Sequence, residues 1–130
     1  MMRREVTITG EAIDEAALAR SREVPGGMGA AVYFLGFVRG REGEQEIAAL
    51  EYEAHERMAL HQFGLLLDQV EARWPIGSIR LVHRKGRVAV GQFSLWLEVI
   101  APHRAEAFAA GQFLIDEMKR VVPIWKKAVF

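Results

Sequence analysis

Cysteine is absent from this 130-residue chain. That excludes a disulfide scaffold, a thiolate metal site and any covalent mechanism using the chain's own sulfur. Net charge is absent too: seventeen basic and seventeen acidic side chains cancel. No global field therefore draws the molecule to nucleic acid or to a membrane. No apolar run approaches the ~20 residues that span a bilayer. The opening "MMRREVTITG" has charge but no apolar core of a signal peptide, so the expected location is cytoplasmic.

What is present is apolar material, 51% of the residues, enough for one hydrophobic core, and residues 1–130 read as one domain. The charge cancellation hides an asymmetry. Residues 1–79 hold 8 Lys and Arg against 13 Asp and Glu, whereas residues 80–130 hold 9 against 4. A local anion site is expected in the second half.

Strand and helix patterns alternate along the chain. "EVTIT" (5–9) reads as an edge strand and "DEAALARSR" (14–22) as a short helix with acidic residues in its first turn. "PGGMG" (25–29) breaks the chain. "AAVYFLGFV" (30–38) is strongly β-prone and predicts a central strand, in which Gly36 marks a bulge or a close backbone approach. "REGEQE" (41–46) reads as a mobile polar loop and "IAALEYE" (47–53) as the next strand.

Residues 55–74 predict a long helix whose buried stripe is Met58, Ala59, Phe63, Leu66, Leu67, Val70 and Trp74. "SIRLVHR" (78–84) and "FSLWLEVIA" (93–101) are strands around an irregular connection. A last helix runs from about Arg104 to Arg120, with Ala107, Phe108, Gly111, Leu114, Ile115, Met118 and Val122 inward. The fold class is α+β, a mostly antiparallel sheet with packed helices.

Four clusters carry candidate chemistry. In "EMKRVVPIWKK" (117–127), Pro123 stops the helix that bears Lys119, and Trp125 is expected to anchor the segment that bears Lys126 and Lys127. Alternation after the proline puts Ile124 and Lys126 on one side, so Lys126 stands beside apolar surface, where an amine suits acid–base or nucleophilic work. A basic helix end is the plainer alternative. His103 and Arg104 open the last helix, where free N–H groups and two basic side chains suit a phosphate or carboxylate; simple helix punctuation explains them equally well. Arg39 follows the β-prone run at what would be a site mouth. "RLVHRKGR" (80–87) lacks interleaved aromatics for base stacking and reads as a solvated hairpin. His55 and His61 have neither metal-site spacing nor carboxylate company and read as structural.

A helix of about 15 residues spans ~22 Å, so one small substrate cannot touch both His103 and Lys119 of one copy. If the two clusters share a site, the chain is a homodimer with composite sites.

Together, Phe34-Leu35-Gly36-Phe37-Val38-Arg39, "LEYEAHERMA" (50–59), "HRKG" (83–86), "HRAEAFAAGQFLIDEMK" (103–119) and "PIWKK" (123–127) resemble the large, catalytic subunit of molybdopterin synthase. The resemblance runs from about Gly29 to Lys127. It implies an α/β hammerhead fold and sulfur transfer to cyclic pyranopterin monophosphate, forming the dithiolene of molybdopterin in molybdenum cofactor biosynthesis. The sulfur would arrive as the thiocarboxylated C-terminus of a ubiquitin-like small subunit, which explains a sulfurtransferase without cysteine; no cofactor is expected. The implied assembly is a homodimer of large subunits with a small subunit at each end, a heterotetramer.

Carried over by position, Lys119 and Lys126 are the catalytic residues. Phe37, Val38, Arg39, His103, Arg104, Lys127 and Ala128 join them in binding substrate, with His103 and Arg104 supplied by the other copy. The family commonly has glutamate where this chain has Ala128, and many members continue past the position of Phe130, so a partner for one lysine and a covering tail are both expected to be missing. The rival expectation is a catalytically silent homologue that binds the small subunit as a scaffold. Retention of the lysines, Arg39, His103 and Arg104 argues against it.

Overall fold

Two chain segments buried along almost their whole length organise the molecule: Ser78–Arg84 and Phe93–Ala101. The computed structural model describes residues 1–130. In chain order the elements are β1 (Arg3–Thr9), α1 (Glu15–Arg20), β2 (Ala30–Phe37), β3 (Arg41–Glu42), β4 (Gln45–Glu46), β5 (Ala49–Ala54), α2 (Glu56–Arg73), β6 (Ser78–Arg84), β7 (Gly86–Ala89), β8 (Phe93–Ala101), α3 (Arg104–Val121) and β9 (Ile124–Val129). A four-stranded sheet runs β1-β6-β8-β2, and a three-stranded sheet runs β7-β5-β9. Only β1 and β6 pair in parallel; the other pairings are antiparallel. The α+β class and the mostly antiparallel sheet stand.

The large sheet buries one face beneath α2 and α3. Ile79, Leu81, Leu97 and Val99 meet Ala59, Phe63, Leu67 and Val70 of α2 and Ala107, Ala110 and Leu114 of α3 in a single cluster. Three- and four-residue spacing puts those helical side chains on one stripe each. Two expected members fall outside it: Met58 is 46% and Phe108 61% exposed. Phe108 lies a third of a turn from the Ala107–Gly111–Leu114 stripe, and Ala110 takes the inward place instead.

The β-prone run 30–38 is not central. β2 is an edge strand, bonded to β8 alone. Its apolar content has another cause: Val32 faces the main core, while Tyr33 and Leu35 face the side that α1 covers. The break at Gly36 is real, since the register with β8 slips between Gly36 and Phe37. The polar stretch 41–46 is an ordered two-stranded hairpin, turned at Gly43, whose φ of 63° favours glycine. Within the connection after residue 84 lies β7, bonded to β5.

"RLVHRKGR" is not a solvated hairpin. Arg80 and Arg84 are 3% and 8% exposed, and His83 is 6% exposed. On the face beneath α1, Arg80 Nε and Nη2 donate to the two oxygens of Glu98 at 2.6 and 2.8 Å. Tyr33 Oη donates to Glu98 at 2.7 Å, and Arg80 also donates to Ser21 Oγ and to the Leu18 carbonyl, both at 2.8 Å. One guanidinium thereby satisfies a buried carboxylate and ties α1 to the sheet. Burial opposes ionisation of Glu98, but the hydrogen bonds from Arg80 and Tyr33 outweigh it and hold the carboxyl below its ordinary range. No helix is long and apolar enough to cross a membrane.

Candidate functional site

A cavity lies where β2 and β6 end and β8 begins, and the C-terminus of α3 and the strand β9 close it. Its volume is about 800 Å³, within the range of small-molecule sites. Phe34, Leu35, Gly36, Leu50, Leu95, Met118, Val122 and Ile124 form its apolar walls, and Arg39, Lys119 and Lys126 bring three positive charges to it.

Each cation arrives for a local reason. Arg39 follows the point where the β2–β8 ladder ends at Phe37 and Phe93. Lys119 stands in the last turn of α3, which terminates at Val122 because Pro123 cannot continue it. The chain then re-enters as β9, whose pairing with β5 sets Lys126 opposite Tyr52. Ile124 and Lys126 share the cavity side, as strand alternation requires. Glu42, from the β3–β4 hairpin, lines the same cavity with its carboxylate 4.0 Å from Lys126 Nζ. Three cations against one carboxylate leave the cavity suited to an anion.

The expected anchor of this segment is misassigned. Trp125 is 59% exposed, whereas Ile124 is half-buried against the main core. Ile124 therefore holds β9 in place, with the His55 N–H donating to the Pro123 carbonyl at 3.1 Å. Trp125→Ala is expected to change stability by less than about 0.5 kcal/mol and to leave Lys126 in position. Ile124→Ala should cost about 1–2 kcal/mol, less than a fully buried truncation. Urea unfolding of the two variants checks the pair.

The other candidates divide. Phe37 lines the cavity, edge-on to Phe93 with ring centroids 5.6 Å apart. Val38 does not: it is 2% exposed in a small cluster with Ile47, Leu50 and Val88, and its N–H and carbonyl are both bonded within the 90–92 turn. Ala128 packs against that same cluster, opposite Leu50. Lys127 faces away from the cavity, opposite Glu51. His103 and Arg104 lie at the far end of α3, 18 residues or about 27 Å long. His103 makes no capping hydrogen bond; its Nδ1 is 3.6 Å from Glu106, and its side chain is 78% exposed.

Sequence reasoning gave no site role to four polar lining residues, Glu42, Tyr52, His83 and Ser94, although His83 and Tyr52 lie in segments it had singled out. Ser94 Oγ donates to Tyr52 Oη at 3.0 Å, and the Tyr52 and His83 rings meet edge to face at 5.3 Å. A signal existed for His83, since alternation places it on the face of Ile79 and Leu81, both buried.

These features define a two-sheet α+β domain whose junction cavity joins apolar walls to a cluster of cations. The comparisons with known proteins assign it. The family model for the MoaE protein matches residues 8–121, and the chain belongs to that family. A molybdopterin synthase catalytic subunit from Nostoc sp. is 41% identical over 100 residues, 76% of this chain. The chain spans 61% of that relative's length, and under a third of the Drosophila relatives it matches. A crystal structure of molybdopterin synthase from Staphylococcus aureus superposes with a TM-score of 0.85 at 31% identity, covering 97% of this chain and 90% of that one. One chain of a complex of subunits 1 and 2 of the Helicobacter pylori molybdopterin-converting factor shares the fold, with a TM-score of 0.70 at 21% identity, over 98% of this chain and 88% of that one.

Proposed function

We propose that this chain is a molybdopterin synthase catalytic subunit, transferring sulfur from a thiocarboxylated small subunit to cyclic pyranopterin monophosphate. The observation that carries the reading is the convergence of Arg39, Lys119 and Lys126, from three separate stretches of chain, on one cavity. A thiocarboxylate tail and a phosphorylated pterin are both anions, and the cavity offers three cations against one carboxylate. Lys119 and Lys126 grip the thiocarboxylate and pass protons as its sulfur displaces a protonated oxygen from the pterin side chain. Water then cleaves the acyl–sulfur bond, leaving the sulfur on the pterin and a carboxylate on the tail. Apolar walls around them keep bulk water from hydrolysing the tail before its sulfur has bonded to the pterin.

The assembly belongs to the same proposal. Residues 1–130 act as one domain in the cytoplasm, pair as a homodimer, and take a ubiquitin-like small subunit at each end. Two observations support a composite site: His103 and Arg104 sit a helix length from the cavity of their own chain, and Phe108 beside them is 61% exposed. In a dimer they complete the partner's cavity, binding the pterin phosphate. A monomeric variant with full turnover would contradict this.

Reconstitution tests the function. The chain, a thiocarboxylated small subunit and cyclic pyranopterin monophosphate should yield dithiolene product by mass spectrometry. Tight small-subunit binding without product would establish the silent scaffold instead.

A further inference from the structure

The cavity floor carries polar groups that neither the lysines nor Arg39 employ. His83 Nδ1 lies 2.7 Å from the Arg84 carbonyl oxygen. A carbonyl only accepts, so in the neutral ring Nδ1 bears the proton and Nε2 keeps its lone pair. Nε2 makes no hydrogen bond within the protein, yet it is not among the polar atoms sealed away without a partner. It opens on the cavity that His83 lines. The edge-to-face contact with Tyr52 fixes the ring orientation.

Tyr52 supplies the complement. Its hydroxyl pairs with Ser94 Oγ at 3.0 Å, and with Ser94 as the donor the tyrosine proton is left for a ligand. The floor therefore presents a hydrogen-bond acceptor beside a donor. Burial pushes the His83 imidazole below its ordinary value, against the opposing pull of the Arg84 carbonyl. The charged groups sharing the cavity, Arg39, Lys119 and Lys126 against Glu42, also disfavour a protonated ring. The lone pair is thus present at neutral pH.

We infer that His83 Nε2 and the Tyr52 hydroxyl read the ring-amide edge of a bound heterocycle, accepting from its N–H and donating to the adjacent C=O. The inference rests on the pterin reading above and deepens it. Arg39 and the lysines hold the anionic parts, while the floor selects and orients the ring. A site built this way rejects a ligand that lacks the matching N–H, because its own acceptor would be left buried and unpaired.

The test measures binding of cyclic pyranopterin monophosphate by pterin fluorescence, with product formation in parallel, for His83→Asn, His83→Gln and Tyr52→Phe. Asparagine reaches only the Nδ1 position, whereas glutamine carries an amide oxygen to the Nε2 position. Loss of one hydrogen bond at a buried site predicts about 5- to 30-fold weaker pterin binding for His83→Asn and Tyr52→Phe, with His83→Gln retaining most of the affinity. Inhibition by inorganic phosphate, which reads only the cations, should be unchanged in all three. Wild-type affinity should fall as pH drops through the lowered His83 value, and His83→Gln should lose that dependence.

Wild-type turnover with unchanged pterin affinity and pH profile in His83→Asn and Tyr52→Phe would overturn the inference and leave the synthase reading standing. A wild-type chain that neither binds nor converts the pterin would overturn both. Should His83→Asn fail to fold, Tyr52→Phe and the pH profile of His83→Gln decide the matter.

Discussion

Lys119→Ala should lower turnover in the reconstituted reaction by about 10²- to 10⁴-fold, the range for removing one positioned charge or proton carrier. Lys126→Ala should fall within the same range. Neither change should affect folding, because both side chains are exposed and neither packs in the core. A thermal melt of each variant alongside the turnover assay separates a chemical loss from a structural one. The lysines are not equivalent, however. Lys126 has Glu42 at 4.0 Å, while Lys119 has no carboxylate within salt-bridge distance. Glu42→Gln should therefore alter turnover through Lys126, and its effect should vanish in the Lys126→Ala background.

Arg80→Met should produce the largest loss of stability, about 3–5 kcal/mol, because it strands the Glu98 carboxylate with the sheet on one side and α1 on the other. At roughly 4 °C per kcal/mol for a domain of this size, the melting temperature should drop by about 12–20 °C. The pH dependence follows from the direction of the Glu98 shift. In the wild type the carboxyl is held below its ordinary value. Its contribution is present above that ordinary value and is lost as pH falls through the lower, folded value. Without Arg80, burial dominates and favours the protonated form, which removes the penalty in acid. The stability gap between wild type and variant should thus narrow as pH falls below the carboxylate range. A gap that stays constant from neutral pH into acid would refute the ion-pair account. Arg80→Met combined with Glu98→Leu should recover a large part of the loss.

The same pair shows where sequence reading reaches its limit. Ser78–Arg84 and Phe93–Ala101 were legible as strands to the residue, because alternation and β-branched content agree over seven and nine positions. The 55–74 helix, the break at Gly36 and the stop at Pro123 were equally legible from local chemistry. Arg80 and Glu98 were not, since a charged residue on a strand reads as solvent-facing until its partner is known. Glu98 within "FSLWLEVIA" was the one hint: a lone carboxylate in an apolar strand needs a cation. The mistaken central placement of residues 30–38 has a related cause. Apolar content on both faces signals two coverings, and helices cover an edge strand as well as a neighbouring strand does.

The candidate site was legible in part. Lys119, Lys126 and Arg39 were singled out, and the fold brings them to one cavity. What brings them together is long-range register: Lys126 faces Tyr52 across 74 residues of chain, and nothing local encodes that pairing. Val38, Lys127 and Ala128 come with the family resemblance, and the fold places each elsewhere. Alternation turns Lys127 away, while Val38, past the end of β2, and Ala128, on the Lys126 side of β9, pack into the small cluster beyond the cavity. Trp125 was given an anchoring role on size alone, while the smaller Ile124 holds it because it occupies the inward position.

The cavity at the sheet junction is the centre of this account, and a crystal structure with cyclic pyranopterin monophosphate bound tests it most directly. The pterin ring is expected between Phe34, Tyr52 and His83, with its charged groups toward Arg39, Lys119 and Lys126. Density for the ligand in the groove beneath α1, against Arg22, Tyr33 and Trp96, with the junction cavity empty, would contradict it.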